Sequence, residues 1–116
     1  MHETSLAEAL LRQVTAVRDE RRLKRIRTVT IQLGTFSGVE PVLLKTAFEE
    51  RSQRWFGAAA ELLIESVELR AECEACRLQF EVEGFRFECP ACTNEHVRIV
   101  QGENLMLLRL SAETES

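Results

Sequence analysis

Four cysteines, Cys73, Cys76, Cys89 and Cys92, are all the cysteines in this 116-residue chain, and they fall into two C-x2-C pairs separated by twelve residues. In a C-x2-C turn both sulfurs point the same way. Two such turns facing each other therefore supply four thiolates to one tetrahedral ion. Zinc is the expected occupant, because it is not redox active and favours tetrahedral sulfur. Four thiolates leave no open position for a substrate, so the expected role is structural. The same sulfur geometry also serves a rubredoxin-like iron site. Against iron, Arg77 and Thr93 follow the two pairs where a turn glycine would be expected. Disulfides would need an oxidising compartment, and nothing in the sequence points to export.

Hydrophobic residues make up 45% of the chain, enough for a packed core, and the net charge of −4 argues against nonspecific attraction to nucleic acid or anionic membrane. The first apolar stretch, Leu6 to Leu11, is interrupted by Glu8 and is not preceded by a basic region, unlike a secretory signal. No apolar run approaches the ~20 residues of a membrane span. A cytoplasmic protein with reduced thiols is expected.

Hydrophobic periodicity predicts an α+β body. Leu6, Leu10, Val14 and Val17 recur at helical spacing, and Ser5 with Glu8 fits a capping box, predicting a helix from just after Thr4 to about Arg22. Val29, Ile31 and Leu33 alternate with Thr28, Thr30 and Gln32 as in a half-buried strand. Glu40 and Pro41 suit the first turn of a second helix, with Leu44, Ala47, Phe48 and Trp55 facing inward and Gly57 as its stop. A second strand is expected over about Glu61 to Ala71, and a last one over Leu105 to Leu110 before a frayed polar tail, Ser111 to Ser116.

Between the cysteine pairs, Leu78, Phe80 and Val82 alternate, as do Phe85 and Phe87 after Glu83-Gly84. That pattern predicts a hairpin bracketed by the two cysteine turns, the plan of a zinc ribbon, with Val97 and Ile99 extending the second turn. Domains below ~40 residues rarely fold without a metal, disulfide or partner. The short last strand cannot stand alone, so it is expected to return to the earlier strands. The expected architecture is a three-stranded sheet with two helices on one face, built from residues 1–70 and 103–116, with an inserted zinc ribbon at 71–102.

The chain begins Met1-His2-Glu3. The Met1 amine, the His2 backbone nitrogen and the His2 imidazole can bind one ion through fused small rings, a set suited to square-planar nickel or copper. Glu3 adds a backbone nitrogen or a carboxylate. This start, the four-cysteine ribbon and the segment Leu33-Gly34-Thr35-Phe36-Ser37-Gly38-Val39-Glu40 together resemble the HypA/HybF family of hydrogenase nickel-incorporation proteins, over essentially the whole chain.

That resemblance implies a nickel metallochaperone rather than an enzyme. It would deliver Ni(II) to the large subunit of [NiFe]-hydrogenase with the GTPase HypB, and some relatives also serve urease maturation. The resemblance assigns His2 as the essential nickel ligand, with the Met1 amine and the Glu3 backbone completing a nitrogen-rich site. Glu40 matches an acidic position near that site, and a helix-start carboxylate explains it equally well. The four cysteines carry over as Zn(II) ligands. Histidines flank both cysteine pairs in some relatives, whereas here only His96 could play that part, and a surface position is expected for it. Homodimerisation is left open.

Two other classes compete. A nucleic-acid-binding ribbon would need a basic surface, yet between Cys73 and Val100 Arg77, Arg86 and Arg98 face Glu74, Glu81, Glu83, Glu88 and Glu95. A thiol oxidoreductase would carry its C-x2-C at a helix start within a βαβ unit, and here two equivalent turns bracket a hairpin.

Overall fold

A computed structural model describes residues 3–84 and 86–114. Its elements run α1 (Glu3–Arg21), β1 (Leu23–Gly34), α2 (Pro41–Phe56), β2 (Glu61–Val67), β3 (Arg70–Cys73), β4 (Gln79–Glu81), β5 (Val97–Gln101) and β6 (Leu105–Thr114). The class is α+β with a cysteine module, as expected. The strands form two three-stranded sheets, ordered β2-β1-β6 and β4-β3-β5. The described residues divide into two compact units. One runs up to Gln32, continues over Val39–Glu65 and resumes from Met106; the other comprises Leu33–Gly38 and Ser66–Leu105.

The first unit is held by apolar packing. Ala7, Leu10, Leu11 and Val14 of α1, Ile26, Val29 and Ile31 of β1, Leu44, Ala47 and Phe48 of α2, and Leu62 of β2 are all buried. Their spacing explains the elements. Leu44, Ala47 and Phe48 lie on one helical stripe, and Val29 and Ile31 on one strand face. Trp55, expected on the inner face of α2, is half-buried at its end. There the Arg12 guanidinium lies 6.0 Å from its ring centroid and Arg18 donates to its carbonyl.

The ends of α2 are written locally. Glu40 is the N-cap and accepts from Val42 N–H at 3.2 Å, Pro41 takes the first turn, and Gly57 ends the helix in the left-handed region at φ 79°. Ser52 is fully buried on the same helix. Its hydroxyl donates to the Glu49 carbonyl at 2.8 Å and accepts from Ala60 N–H at 2.9 Å, fastening the end of α2 to the chain entering β2.

Four expectations are corrected. Helix α1 begins at Glu3, so Ser5 lies inside the helix and not at its cap. The physical reason is nonlocal: the Glu3 carboxylate accepts the backbone N–H of Glu40, 3.0 Å away, and fixes the first turn. The single strand expected over Glu61 to Ala71 is two, because β2 and β3 belong to different sheets. The tail expected to fray continues as strand to Thr114, where Glu113 meets Arg27 of β1 in an ion pair.

The ribbon hairpin is the fourth. Strand β4 pairs antiparallel with β3, not with the segment after Gly84, and β3 also pairs antiparallel with β5. Among the described residues 86–88 form no strand, and Phe85 lies outside them. Instead the Phe87 ring makes an edge-to-face contact with Phe36, centroids 6.2 Å apart.

Candidate metal centre

The cysteine unit has a small core. Ala71, Cys73, Phe80 and Cys89 are buried, with Val82, Val97 and Ile99 packed against them. Two of the four sulfur-bearing residues are thus core residues themselves, and the remaining two, Cys76 and Cys92, are exposed. Each pair therefore sets its first cysteine inward and its second outward.

The two turns repeat one backbone pattern. Arg77 N–H donates to the Cys73 carbonyl and Thr93 N–H to the Cys89 carbonyl, each at 2.9 Å. Cys73 N–H reaches the Leu78 carbonyl at 2.9 Å, and Cys89 N–H the Asn94 carbonyl at 3.0 Å. Closing such a turn needs a left-handed residue after the second cysteine. Arg77 (φ 67°) and Thr93 (φ 58°) take that conformation without being glycine. Each stores about 1–3 kcal/mol of backbone strain, which something else in the turn must offset.

A metal held by the four sulfurs would supply that offset. Cys73 and Cys92 sulfurs are 3.5 Å apart, Cys76 and Cys89 3.6 Å, and Cys76 and Cys92 3.9 Å. All four lie within 4.8 Å of one another. A tetrahedral zinc with Zn–S of about 2.3 Å sets its sulfurs ~3.8 Å apart. A disulfide would need ~2.05 Å, and all four thiols are free.

Protonation chemistry points the same way. The Cys76 backbone N–H, 3.5 Å from the Cys73 sulfur, favours the thiolate and brings that thiol down to about 6 despite burial, helped by Ala75 N–H and the Cys92 and Cys76 sulfurs. For Cys92, the Asn94 backbone N–H favours the thiolate. The sulfurs of Cys73, Cys89 and Cys76, together with desolvation, outweigh it and push the thiol up to about 12. At Cys76, the Leu78 N–H is likewise outweighed, chiefly by the Cys89 sulfur, desolvation and the Cys73 sulfur, and the thiol is raised. Four adjacent thiolates repel one another, so protons stay on some of them until a divalent cation replaces those protons. The donor set fits structural Zn(II) held by Cys73, Cys76, Cys89 and Cys92.

Side chains that the spacing of cysteines could not announce brace the centre. Glu72, immediately before Cys73, accepts from Arg98 at 2.8 Å and Gln79 at 3.2 Å and pairs with Arg77 at 3.5 Å. It thereby ties β3 to β4, β5 and the first turn. His96 is exposed and is not among the metal-binding groups of the described residues; its carbonyl accepts Glu74 N–H at 3.0 Å.

Of the residues expected to bind nickel, Met1 and His2 lie outside the described residues. Glu3 and Glu40 are within hydrogen-bonding reach through the 3.0 Å bond from Glu40 N–H to the Glu3 carboxylate. The Glu40 carboxylate turns to its own helix, accepting Val42 N–H. No helix among the described residues is long and apolar enough to cross a membrane.

Comparison with known proteins adds the family. The family model described as "Hydrogenase/urease nickel incorporation, metallochaperone, hypA" matches residues 1–112. A hydrogenase maturation factor HypA of Shewanella sp. (strain MR-7) is 37% identical over 115 residues, covering 99% of this chain and 98% of that protein. The HypA of Aquifex aeolicus is 31% identical over 115 residues, covering 99% and 100%. The solution structure of the Ni metallochaperone HypA from Helicobacter pylori superposes with a TM-score of 0.75 at 26% identity, covering 99% of this chain and 100% of that one.

Proposed function

Because the chain belongs to the HypA family of nickel-incorporation metallochaperones, we propose that it captures Ni(II) at its amino terminus and delivers it to the large subunit of [NiFe]-hydrogenase, working with HypB in the cytoplasm. The ligands are the Met1 amine, the His2 backbone nitrogen and imidazole, and the Glu3 backbone nitrogen, with Glu40 beside them. Nickel is cargo here, zinc is resident, and no residue is assigned a catalytic role. Urease maturation is a second destination, since the family description names it.

The observation that supports this reading best is the hydrogen bond from Glu40 N–H to the Glu3 carboxylate, 3.0 Å. It ties the residue that follows His2 to the start of α2 and gathers two carboxylates there. The first N–H groups of a helix have no intrahelical acceptor. The proposed chelate uses the backbone nitrogen of Glu3, at the opening of α1. The positive end of α1 opposes a cation by only about 0.3–1 kcal/mol, and Glu3 and Glu40 offset it. A few ligands at a chain end suit delivery. Micromolar binding is ~8 kcal/mol, strong enough to capture nickel and weak enough to release it.

Calorimetric titration of untagged, zinc-loaded protein with nickel, beside His2→Ala, tests the reading. One nickel per chain, lost in the variant, is expected. Equal binding in both proteins, or none in either, would refute it. Chelation displaces a proton from an amine that titrates near ~7.7–8.0, so affinity should also fall as pH drops.

A further inference from the structure

The cations of this chain are unevenly placed. Six of its 15 lysines and arginines, Arg18, Arg21, Arg22, Lys24, Arg25 and Arg27, fall within one short stretch, against Asp19 and Glu20. That stretch is strongly basic in a chain whose net charge is −4. It runs from the last turn of α1 into the start of β1. The carboxyl end of a helix favours cations, which accounts for Arg18 and Arg21. It does not account for Lys24, Arg25 and Arg27, which lie beyond the helix. Arg22, in the left-handed region at φ 54°, turns the chain between the two groups.

Most of these charges are not used inside the fold. Arg18 pairs with Asp19, and Arg27 with Glu113. Arg21, Arg22, Lys24 and Arg25 are exposed, and among the described residues they form no ion pair. Lys45 shows the contrast. Its ammonium donates to the Glu49 carboxylate at 2.8 Å and to the Leu62 carbonyl at 2.7 Å, and Glu49 also accepts Leu62 N–H at 2.8 Å. That cation is committed to capping the β2 edge. A carboxylate already beside the basic stretch responds to its field. A hydrogen bond from Arg27 and its charge hold Glu113 below the ordinary carboxylate range, and Arg25 and Lys24 add to this against desolvation.

The apolar stripe of α1 runs out of cover at the same place. Ala7, Leu10, Leu11 and Val14 are buried, whereas Val17, next on the stripe, is half-buried. Val17 and Arg21 line a cavity of about 360 Å³ together with Leu107, Leu108, Arg109 and Leu110 of β6. Aliphatic walls beside unspent cations suit a ligand that carries an apolar side chain and carboxylates. No aromatic residue lines the cavity, so a nucleic acid would find cations without a stacking surface. We propose that this cavity and the cations from Arg21 to Arg25 form a docking site for an acidic segment of a partner protein. Its apolar side chain enters between Val17 and the β6 leucines, and its carboxylates face Arg21, Arg22, Lys24 and Arg25. Charge complementarity sets the encounter and the register, and the apolar anchor slows release. The proposal does not rest on the nickel site.

Fluorescence anisotropy on zinc-loaded, nickel-free full-length protein tests this with a labelled peptide in which one leucine is flanked by glutamates. The unaltered protein should bind it, and less tightly as salt rises. Arg21→Glu and Arg25→Glu each exchange an attraction for a repulsion. Each should weaken binding by at least about threefold, and the two together by about tenfold. Arg21→Lys with Arg25→Lys, which keeps both charges, should bind as the unaltered protein does. Arg86→Glu, the same charge change in the other unit, should leave binding unchanged. A peptide with alanine in place of leucine should bind at least about tenfold more weakly. Helical circular dichroism and zinc content show that each variant is folded. The proposal is overturned by no binding, by an equal loss in Arg86→Glu, or by equal affinity for the alanine peptide. Tighter binding to a single-stranded oligonucleotide or to phosphatidylserine vesicles than to the peptide would overturn it too.

Discussion

The two units of this chain reach stability by different routes. Residues of α1, α2, β1 and β2 bury a core of leucine, isoleucine, valine and phenylalanine side chains. The unit spanning 66–105 buries only a handful of side chains, two of them cysteines that serve the metal. One unit is specified by hydrophobic pattern. The other is specified by four sulfurs, with strained backbone at Arg77 and Thr93 that the pattern would not tolerate unaided. The lesson is that the four cysteines cluster where apolar packing is thin, whereas Glu3, proposed to help hold the cargo metal, opens a helix with a well-buried apolar face.

Zinc removal should break this comparison most visibly. Structural zinc contributes about 10–16 kcal/mol in finger peptides. Stripping it with a chelator, or substituting Cys73→Ser with Cys89→Ser, should abolish the protection of amides in β3, β4 and β5 from hydrogen exchange. The amides of α1 and α2 should remain protected. Loss of protection in both units together would erase the distinction.

The converse experiment empties the apolar core. Phe48 is fully buried, and Phe48→Ala should cost about 3–5 kcal/mol in urea unfolding followed by helical circular dichroism. Zinc content should stay at one per chain. A smaller, third effect lies at Gly102, which has φ 108° and whose added Cβ would sit 2.5 Å from the Leu69 Cα. Gly102→Ala should destabilise the cysteine unit by more than ~1 kcal/mol, read as faster zinc transfer to a chromogenic chelator.

The smallest effect is electrostatic. A hydrogen bond from Arg27 and its charge hold the Glu113 carboxyl below the ordinary carboxylate range. A depressed carboxylate stabilises the fold above its unfolded pKa, and the contribution is lost as pH falls through the lower folded value. Arg27→Gln should therefore cost a little stability at neutral pH and nothing in strong acid. Both members of the pair are exposed, where such pairs contribute little.

What could be read in the sequence follows the same division between local and nonlocal causes. The caps of α2 at Glu40, Pro41 and Gly57 were legible because each acts within a few residues. The clustering of Cys73, Cys76, Cys89 and Cys92 was legible because a C-x2-C turn carries its own geometry, and two such turns close in the chain can face each other. The start of α1 was not, since Glu3 is fixed by Glu40, thirty-seven residues away. Alternation at Phe80 and Val82 announced a strand but could not name its partner, and Arg70–Cys73 took that place. The Lys45–Glu49 cap on the β2 edge and the gathering of Arg77, Gln79 and Arg98 around Glu72 were hidden for the same reason. Polarity likewise left Ser111 to Ser116 looking frayed, because the ion pair between Glu113 and Arg27 is seen only once β6 lies beside β1.

Nickel-edge X-ray absorption on protein carrying one zinc and one nickel tests the separation of the two metals most directly. Nitrogen and oxygen neighbours alone around nickel, with the zinc edge retaining four sulfurs, are expected if cargo and resident ion use different donors. Sulfur in the nickel shell would place nickel among Cys73, Cys76, Cys89 and Cys92 and contradict the account.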